Sequence, residues 1–164
     1  MRAAGLEPDV STYNWVIMAC TRANEVNKAI ELFRGMEAAG VAPNVFTYTA
    51  CITAHGYGKR TDEAVALLRE MQRAGVVAPN GRAYNAAIAA CGQSGAWEVA
   101  VELLREMEPA GIATDVFTYT SCITACVAGK KWEVAVALLR EMVGAGIKPN
   151  EFTYAAAIAA CGSS

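Results

Sequence analysis

VFTYTACITA at residues 45–54 returns almost unchanged as VFTYTSCITA at residues 116–125. Related stretches stand at residues 10–19 (VSTYNWVIMA), 81–90 (GRAYNAAIAA) and 151–160 (EFTYAAAIAA). The tyrosines that they share are spaced by 35, 36, 35 and 35 residues: Tyr13, Tyr48, Tyr84, Tyr119 and Tyr154. A fixed period of this length is typical of proteins built from stacked structural repeats.

A second pattern follows each of these stretches. From Ala64 to Met71, apolar residues stand at i, i+3, i+4 and i+7, which is one stripe of an α-helix. Gly75 and Pro79 come next, and they predict a left-handed helix cap and a chain that cannot continue as helix. Each unit is therefore predicted to contain two helices, which in the first unit run from about residue 11 to 21 and from about 25 to 38. The stripes of the other units end at Gly40, Gly111 and Gly146.

One helical pair cannot bury both of its apolar stripes, whereas stacked pairs can. We therefore predict an all-α solenoid, a right-handed superhelix whose concave face is lined by the first helices of the units. Neither end shows a polar capping unit, which indicates a piece of a longer array. The predicted units are residues 1–9 (the tail of a preceding repeat), 10–44, 45–80, 81–115, 116–150 and 151–164 (the first helix of a truncated repeat).

Composition limits the other classes of protein. No apolar run approaches the roughly 18 residues of a membrane span, so no membrane is expected. The six cysteines recur in register with the repeat, and we expect small buried side chains. His55 is the single histidine, and only Cys122 and Cys126 have the spacing that places two thiolates on one helical face, so neither a metal nor any other cofactor is predicted.

The units share the pattern V-x-T-Y-[N/T]-x-x-I…A-x-x-L-[F/L]-x-x-M…G-[I/V]-x-P-[N/D]. It resembles the pentatricopeptide repeat family, and the resemblance covers nearly the whole chain. Departures lie around residues 76–77, at Gly81-Arg82-Ala83, at Thr114 in place of proline, and at Pro109. A tetratricopeptide-like solenoid that binds proteins is the alternative, because that family also repeats a helical pair and the net charge of −2 disfavours nucleic acid.

The resemblance implies that the chain binds single-stranded RNA, one base per repeat. In this family, the fifth residue of the first helix and the last residue of the unit read the base. By the family's correspondence, Asn with Asn favours C, Thr with Asn favours A and Asn with Asp favours U, which gives 5′-CAUA-3′. The reading pairs are Asn14 with Asn44, Thr49 with Asn80, Asn85 with Asp115, and Thr120 with Asn150.

The family also holds each base between the second residues of adjacent units. Ser11 offers little stacking surface, so the first base is expected to be held least firmly. These second residues are Ser11, Phe46, Arg82, Phe117 and Phe152. Weak contacts to phosphates are expected from the basic residues at the turns between helices, which are Arg22, Lys59, Arg60, Lys130 and Lys131.

Structural roles are open for several of these residues. The last residues also stand where a helix N-cap is wanted, and capping alone would explain their identity. Thr12, Thr47, Thr118 and Thr153 are expected to pack and hydrogen-bond in the first turns of their helices. Trp15 is expected in the core, and the arginines of the second helices, Arg34, Arg69, Arg105 and Arg140, on a solvated outer face.

The chain carries no phosphate-binding glycine loop, zinc deaminase signature or nuclease-like acidic cluster, so no catalysis and no small-molecule substrate are expected. Other proteins of an RNA-processing complex are possible partners. The family resemblance implies a plastid or a mitochondrion, and a role in organellar RNA processing, stability or translation. No targeting segment is visible in the sequence.

Overall fold

The computed structural model describes residues 8–75 and 78–162 of the chain. Most of the predicted tail at residues 1–9, and the departure at residues 76–77, lie outside the described residues. Within them, the chain forms helices and no strand, as the sequence predicts. The helices are α1 (Val10–Arg22), α2 (Val26–Ala38), α3 (Val45–Tyr57), α4 (Thr61–Ala74), α5 (Gly81–Ser94), α6 (Trp97–Met107), α7 (Val116–Ala128), α8 (Trp132–Gly144) and α9 (Glu151–Gly162).

Side chains fix where the first helix of each unit begins. Asn44 accepts a hydrogen bond from the amide of Thr47 (3.0 Å), and the Thr47 hydroxyl accepts one from the Asn44 amide (3.1 Å). This reciprocal capping box recurs between Asp115 and Thr118. It satisfies amides that the first turn of a helix leaves without a partner.

Left-handed backbone separates the helices of a unit and ends the second one. Gly75 has φ +62°, and Gly40, Gly111 and Gly146 share this conformation, which confirms the predicted helix ends. The turn inside each unit needs a left-handed residue at one register position. In the third unit this residue is Gly95, which adopts the left-handed conformation without strain. In the other units it is a residue with a side chain: Asn24, Lys59 or Lys130.

The helices stack in two layers. Consecutive first helices pack directly on each other, α1 on α3, α3 on α5, α5 on α7 and α7 on α9. Each second helix packs on the first helices of its own unit and the next one. In the described part of the chain, however, no two second helices have Cα atoms within 8 Å of each other. The closely packed first helices therefore form the inner side of the curved stack, which agrees with the predicted concave face.

The core runs along the stack as repeated layers. Ile17, Ile52, Ile88 and Ile123 occupy one register position in the first helices, and none of them is exposed. Met36, Met71, Met107 and Met142 fill the corresponding place in the second helices. Because these side chains are buried by contacts with neighbouring units, the same residue types are required at the same positions in one unit after another.

Ion pairs link the second helices on the outer side. Arg34 donates to both carboxylate oxygens of Glu70 in the next unit, each at 3.2 Å. Arg69 pairs in the same bidentate way with Glu106, and Arg105 with Glu141. We call these three pairs the outer ladder. The expected outer position is confirmed, but these arginines bind across units instead of being only solvated.

The expectation for Trp15 is wrong, because this residue of α1 is 71% exposed. The cysteine expectation is confirmed for Cys51, Cys91, Cys122 and Cys126, which are buried, whereas Cys20 is half-buried. Burial raises the pKa of Cys51 to about 12, so this thiol stays protonated and unreactive. Among the described helices, none combines the length and apolar character that a bilayer span requires.

Candidate nucleic-acid interface

A polar and aromatic stripe lines the inner side of the first helix in the second unit. In a helix of 3.6 residues per turn, positions 2, 5, 9 and 13 share one face. In α3 these positions hold Phe46, Thr49, Thr53 and Tyr57, which line the same open groove between units. Phe46 and Tyr57 are exposed by 41% and 53%, so their rings are available to a ligand.

A groove pocket of about 470 Å³ lies along the first helix of the second unit and is bordered by residues of the first and third units. Phe46 and Arg82, the predicted stacking residues of these units, both line it. Thr49 and Asn80, the predicted reading pair of the second unit, line it as well. The volume falls within the range of ordinary small-ligand pockets, and the pocket offers a flat ring, a guanidinium and two polar side chains at once.

The next unit forms a similar pocket of about 410 Å³. Arg82 and Phe117 line it together with Asn85, and Tyr57 lines both pockets. Arg82 thus lines two successive pockets, whereas Asp115, the other predicted reader of the third unit, does not line the second one. The structure therefore brings predicted stacking residues and a predicted fifth residue together at the spacing of one unit.

The last residues of the units combine two features. Each of them accepts a hydrogen bond from the amide of the third residue of the next helix, as Asn80 does from Ala83 (3.1 Å) and Asn150 from Thr153 (2.9 Å). The capping role is therefore present in the structure. Capping uses the Oδ1 atom and leaves the Nδ2 amide group of an asparagine, or the Oδ2 atom of Asp115, on an exposed side chain.

Buried threonines connect the fifth residues to the last residues. The Thr47 hydroxyl, which is fully buried, donates to Asn14 Oδ1 (2.6 Å) and contacts Asn44 Oδ1 (3.0 Å). Asn14 Nδ2 also donates to Asn44 Oδ1, at 3.4 Å. The prediction that the repeated threonines pack and hydrogen-bond in the first turn is confirmed, and the contact with the preceding unit adds to it.

The third and fourth units repeat this connection. The Thr118 hydroxyl lies 2.8 Å from Asn85 Oδ1 and 2.8 Å from Asp115 Oδ1. Thr153 contacts the Thr120 hydroxyl at 2.7 Å and Asn150 Oδ1 at 2.9 Å. Thr118 and Thr153 have no exposed surface. The predicted reading pair of each of these units is therefore bridged by a side chain that lies beneath the groove.

The second unit departs from this arrangement. Its pair, Thr49 and Asn80, faces Ala83, which has no hydroxyl to donate. The Thr49 hydroxyl donates instead to the carbonyl of Val45 in its own helix (2.7 Å). The sequence departure at Gly81-Arg82-Ala83 thus removes one bridge from the groove.

The five basic residues predicted to contact phosphates are not placed alike. Arg22, at the end of α1 in the first unit, lines the 470 Å³ pocket. Arg60 donates to Asn27 Oδ1 (2.8 Å), and the Lys131 ammonium lies 5.5 Å from the centre of the Trp97 ring. Lys59 and Lys130 are exposed at the left-handed turn positions.

Two features of the groove were missed in the sequence. Asp9 stands in the register of the last residues and caps α1 through the Thr12 amide (2.8 Å) and hydroxyl (2.7 Å). These hydrogen bonds lower the pKa of Asp9. The bridging role of the third residues was also missed, since the sequence repeats them but does not show what they touch. Extending the period by one residue before Val10 would have found Asp9.

The fold and the groove define a helical-repeat solenoid with regularly spaced inner pockets. A family model described as PPR repeat family matches residues 8–56, and one described as Pentatricopeptide repeat domain matches residues 102–164. A third, described as PPR repeat, matches residues 46–76 and 82–111. The chain belongs to the pentatricopeptide repeat family. None of the curated proteins matches this sequence.

Solved structures of this family are similar over most of the chain. PPR10 in complex with an 18-nt psaJ RNA element is 32% identical over 96% of the chain, with a TM-score of 0.85. The chain spans 23% of the length of that protein. The PPR domain of Arabidopsis thaliana protein-only RNase P 1, in complex with tRNA, is 17% identical over 93% of the chain and 80% of its own, with a TM-score of 0.78. This second likeness concerns the fold.

Proposed function

We propose that this chain is a single-stranded RNA-binding module that takes one base per repeat, with the order 5′-CAUA-3′. The observation that carries the proposal is the pocket in which Phe46 and Arg82 stand together with Thr49 and Asn80. A base held there would stack on the ring and the guanidinium while its edge meets two hydrogen-bonding side chains. Aromatic stacking on a base is worth about 1–3 kcal/mol.

The capping contacts give the last residues different hydrogen-bonding character. Asn44, Asn80 and Asn150 present an amide donor once Oδ1 caps the helix, and a donor suits the ring nitrogen acceptor of C or A. Asp115 presents a carboxylate oxygen, and an acceptor suits the ring N–H of U or G. Within each class, the choice by the fifth residue is carried over from the family. Units with Asn at the fifth position take the pyrimidine, and units with Thr take the purine.

Electrostatics indicates weak binding. The net charge is −2, and two of the expected phosphate contacts are engaged elsewhere, Arg60 with Asn27 and Lys131 with Trp97. Few phosphate contacts give a low affinity and a shallow dependence on salt. Neighbouring repeats of the whole protein would add to the affinity. We propose that the whole protein acts in an organelle, in RNA processing, stability or translation, by occupying its site without catalysis in this chain.

Fluorescence anisotropy at low salt tests the proposal, with labelled RNA that contains CAUA and with scrambled RNA. We expect CAUA to bind at least tenfold more tightly. Asn85→Thr should move the third preference from U toward G, and Asp115→Asn should move it from U toward C. Equal affinity for all sequences would contradict the base assignment. A pull-down with and without ribonuclease tests the protein-binding alternative. That alternative is favoured if neither the folded chain nor a longer array binds RNA and the chain captures proteins equally well after ribonuclease treatment.

A further inference from the structure

We propose that the buried third residues Thr47, Thr118 and Thr153 are positioning residues, which set how strictly bases 1, 3 and 4 are read without touching RNA. Base 2, behind Ala83, is then the base that is read least strictly. This inference rests on the proposed function and adds to it which residues determine specificity.

The argument begins with the symmetry of an amide group. The Nδ2 and Oδ1 atoms of an asparagine are nearly equal in size, and a half-turn of the side chain exchanges a donor for an acceptor. Asn85 is a half-buried residue at the groove. If its amide could turn freely, it would present either atom to a base and would discriminate poorly.

Thr118 removes this freedom. Its hydroxyl lies 2.8 Å from Asn85 Oδ1 and 2.8 Å from Asp115 Oδ1, and its single proton, shared between these two acceptors, holds the oxygen end of the Asn85 amide toward Thr118. The Nδ2 donor is thereby directed away from Thr118. Because Thr118 has no exposed surface, water cannot easily replace its hydroxyl, and an unpaired buried hydroxyl would be costly.

The same hydroxyl links the two residues of a reading pair. Thr118 contacts Asp115 Oδ1 at 2.8 Å, and the Asp115 amide donates back to the Thr118 oxygen at 3.2 Å. Capping by itself requires only Asp115 and Thr118, as the Asp9 and Thr12 pair shows at α1. The additional contact with Asn85 crosses from one unit to the previous one, and it recurs from Thr47 to Asn14 at 2.6 Å. It also recurs between Thr153 and Thr120 at 2.7 Å, where the group that it orients is a rotatable hydroxyl instead of an amide.

The second unit is a natural variant of this arrangement. Ala83 is fully buried at the same register position, and Asn80 still caps α5. Helix capping is therefore kept while the bridge to the fifth residue is lost. The Thr49 hydroxyl donates to the carbonyl oxygen of Val45, so this hydrogen bond lies within α3.

The test compares variants of the full chain on RNA that differs at one base. Discrimination is the ratio of the dissociation constants for the two bases between which the fifth residue chooses, which are G and U at base 3, C and A at base 2, and A and C at base 1. In Thr118→Val, which keeps the shape and removes the hydroxyl, we expect the base 3 ratio to fall to within about twofold of unity. The ratio at base 1 should not change. Thr118→Ser should keep the wild-type ratio, and Ala83→Ser should raise the base 2 ratio at least threefold.

Each outcome decides a different point. Thr118→Val that keeps its base 3 ratio, or that weakens discrimination equally at every base, would overturn the positioning role. If Thr118→Val does not fold, as judged by thermal unfolding, an unchanged base 2 ratio in Ala83→Ser overturns the role instead. If the wild-type chain shows no preference at any base, the proposed base assignment and this inference are both overturned. If the wild-type chain shows a preference and the variants keep it, only this inference is overturned.

Discussion

The joint between units 2 and 3 and the joint between units 3 and 4 differ where the second helices begin. At the first joint, the Thr61 hydroxyl donates to the Ala90 carbonyl (3.0 Å) and lies within hydrogen-bond distance of the Ser94 hydroxyl (2.8 Å). At the second joint, the same two register positions hold Trp97 and Gly129. A Cβ atom on Gly129 would lie 2.6 Å from Trp97 Cδ1. Two small polar residues and one large ring with no side chain opposite are alternative ways to fill the same gap.

The joints also differ at the groove, where Ala83 at the first corresponds to Thr118 at the second. On the outer side they agree, because Arg69 with Glu106 and Arg105 with Glu141 form equivalent pairs. The comparison shows that the ion pairs on the outer side are the same at both joints. The contacts where the second helices begin and the contacts beneath the groove differ, and they differ by pairs of residues that face each other. A change to one member of such a pair should be costly, and a change to both should be tolerated.

The largest effect is expected for Gly129→Ala. The new Cβ would meet Trp97 at 2.6 Å and the Gly95 carbonyl at 2.9 Å, and the carbonyl belongs to the backbone. We expect a loss of about 3 kcal/mol in the free energy of unfolding, measured with urea. Gly35→Ala, inside α2, is the control, since nothing lies within 4 Å of its Cβ position, and it should gain about 0.5–1 kcal/mol. Equal stability of the two variants would contradict the close packing of this joint.

The next effect tests whether the joints can be exchanged. Thr61→Trp should clash with Ser94 and lose two hydrogen bonds, at a cost of about 2 kcal/mol. The double variant Thr61→Trp with Ser94→Gly rebuilds the pair of the neighbouring joint and should recover most of that stability. Thermal unfolding of the two single variants and the double variant measures the coupling. Additive losses would show that the two positions are independent.

A smaller effect concerns His55, which stands where units 3 and 4 have Cys91 and Cys126. It is buried, its Nδ1 atom has no hydrogen-bond partner, and burial lowers its pKa. Nearby charges act in opposite directions, Glu63 raising the pKa, Arg60 and Arg34 lowering it. The unfolded chain therefore takes up the proton first, and stability present above pH 6.5 declines as the pH falls.

Between pH 7.5 and 5.5 we expect the wild type to lose at most about 1 kcal/mol through this residue. His55→Cys, which carries the residue of the other units, should show no such decline. Melting temperatures of both proteins across this interval measure the difference, with Lys28→Ala as an exposed control. A decline of the same size in His55→Cys would assign the pH dependence to other groups.

The smallest effect is expected in the outer ladder. Arg105→Gln removes a bidentate pair whose arginine is 56% exposed, so the loss should be about 0.2–1 kcal/mol and should shrink as salt is added. Arg140→Gln is the matched control, because the described residues offer Arg140 no acidic partner. A loss in Arg105→Gln that does not respond to salt would contradict an ionic origin.

Much of the fold follows from the sequence because a repeat shows the same physical requirement several times. The stripe from Ala64 to Met71 and the closing Gly75 predict helix ends that the structure confirms. The positions of Phe46 and Arg82 on the inner face follow in the same way. Helical periodicity reports which face of its own helix a residue occupies, and that is enough to place the groove.

What periodicity does not report is the partner in the next unit. The bridge from Thr118 to Asn85 and the pair of Arg105 with Glu141 join residues 33 and 36 positions apart, which no local pattern connects. Trp15 was expected in the core because it has no counterpart in the other units, but those units place small residues at its position, which are Ala50, Ala86, Ser121 and Ala156. Comparing units at that position would have shown that the site favours small side chains.

The difference between the two layers has a mechanical consequence. First helices touch along their backbones, whereas second helices are joined by the long, partly solvated side chains of Arg34, Arg69 and Arg105 with their glutamates. The spacing of the first helices on the inner side is therefore nearly fixed, whereas the spacing of the second helices on the outer side can vary. Such a coil changes its curvature more readily than the distance between neighbouring inner pockets, so a bound strand would be bent before it is stretched.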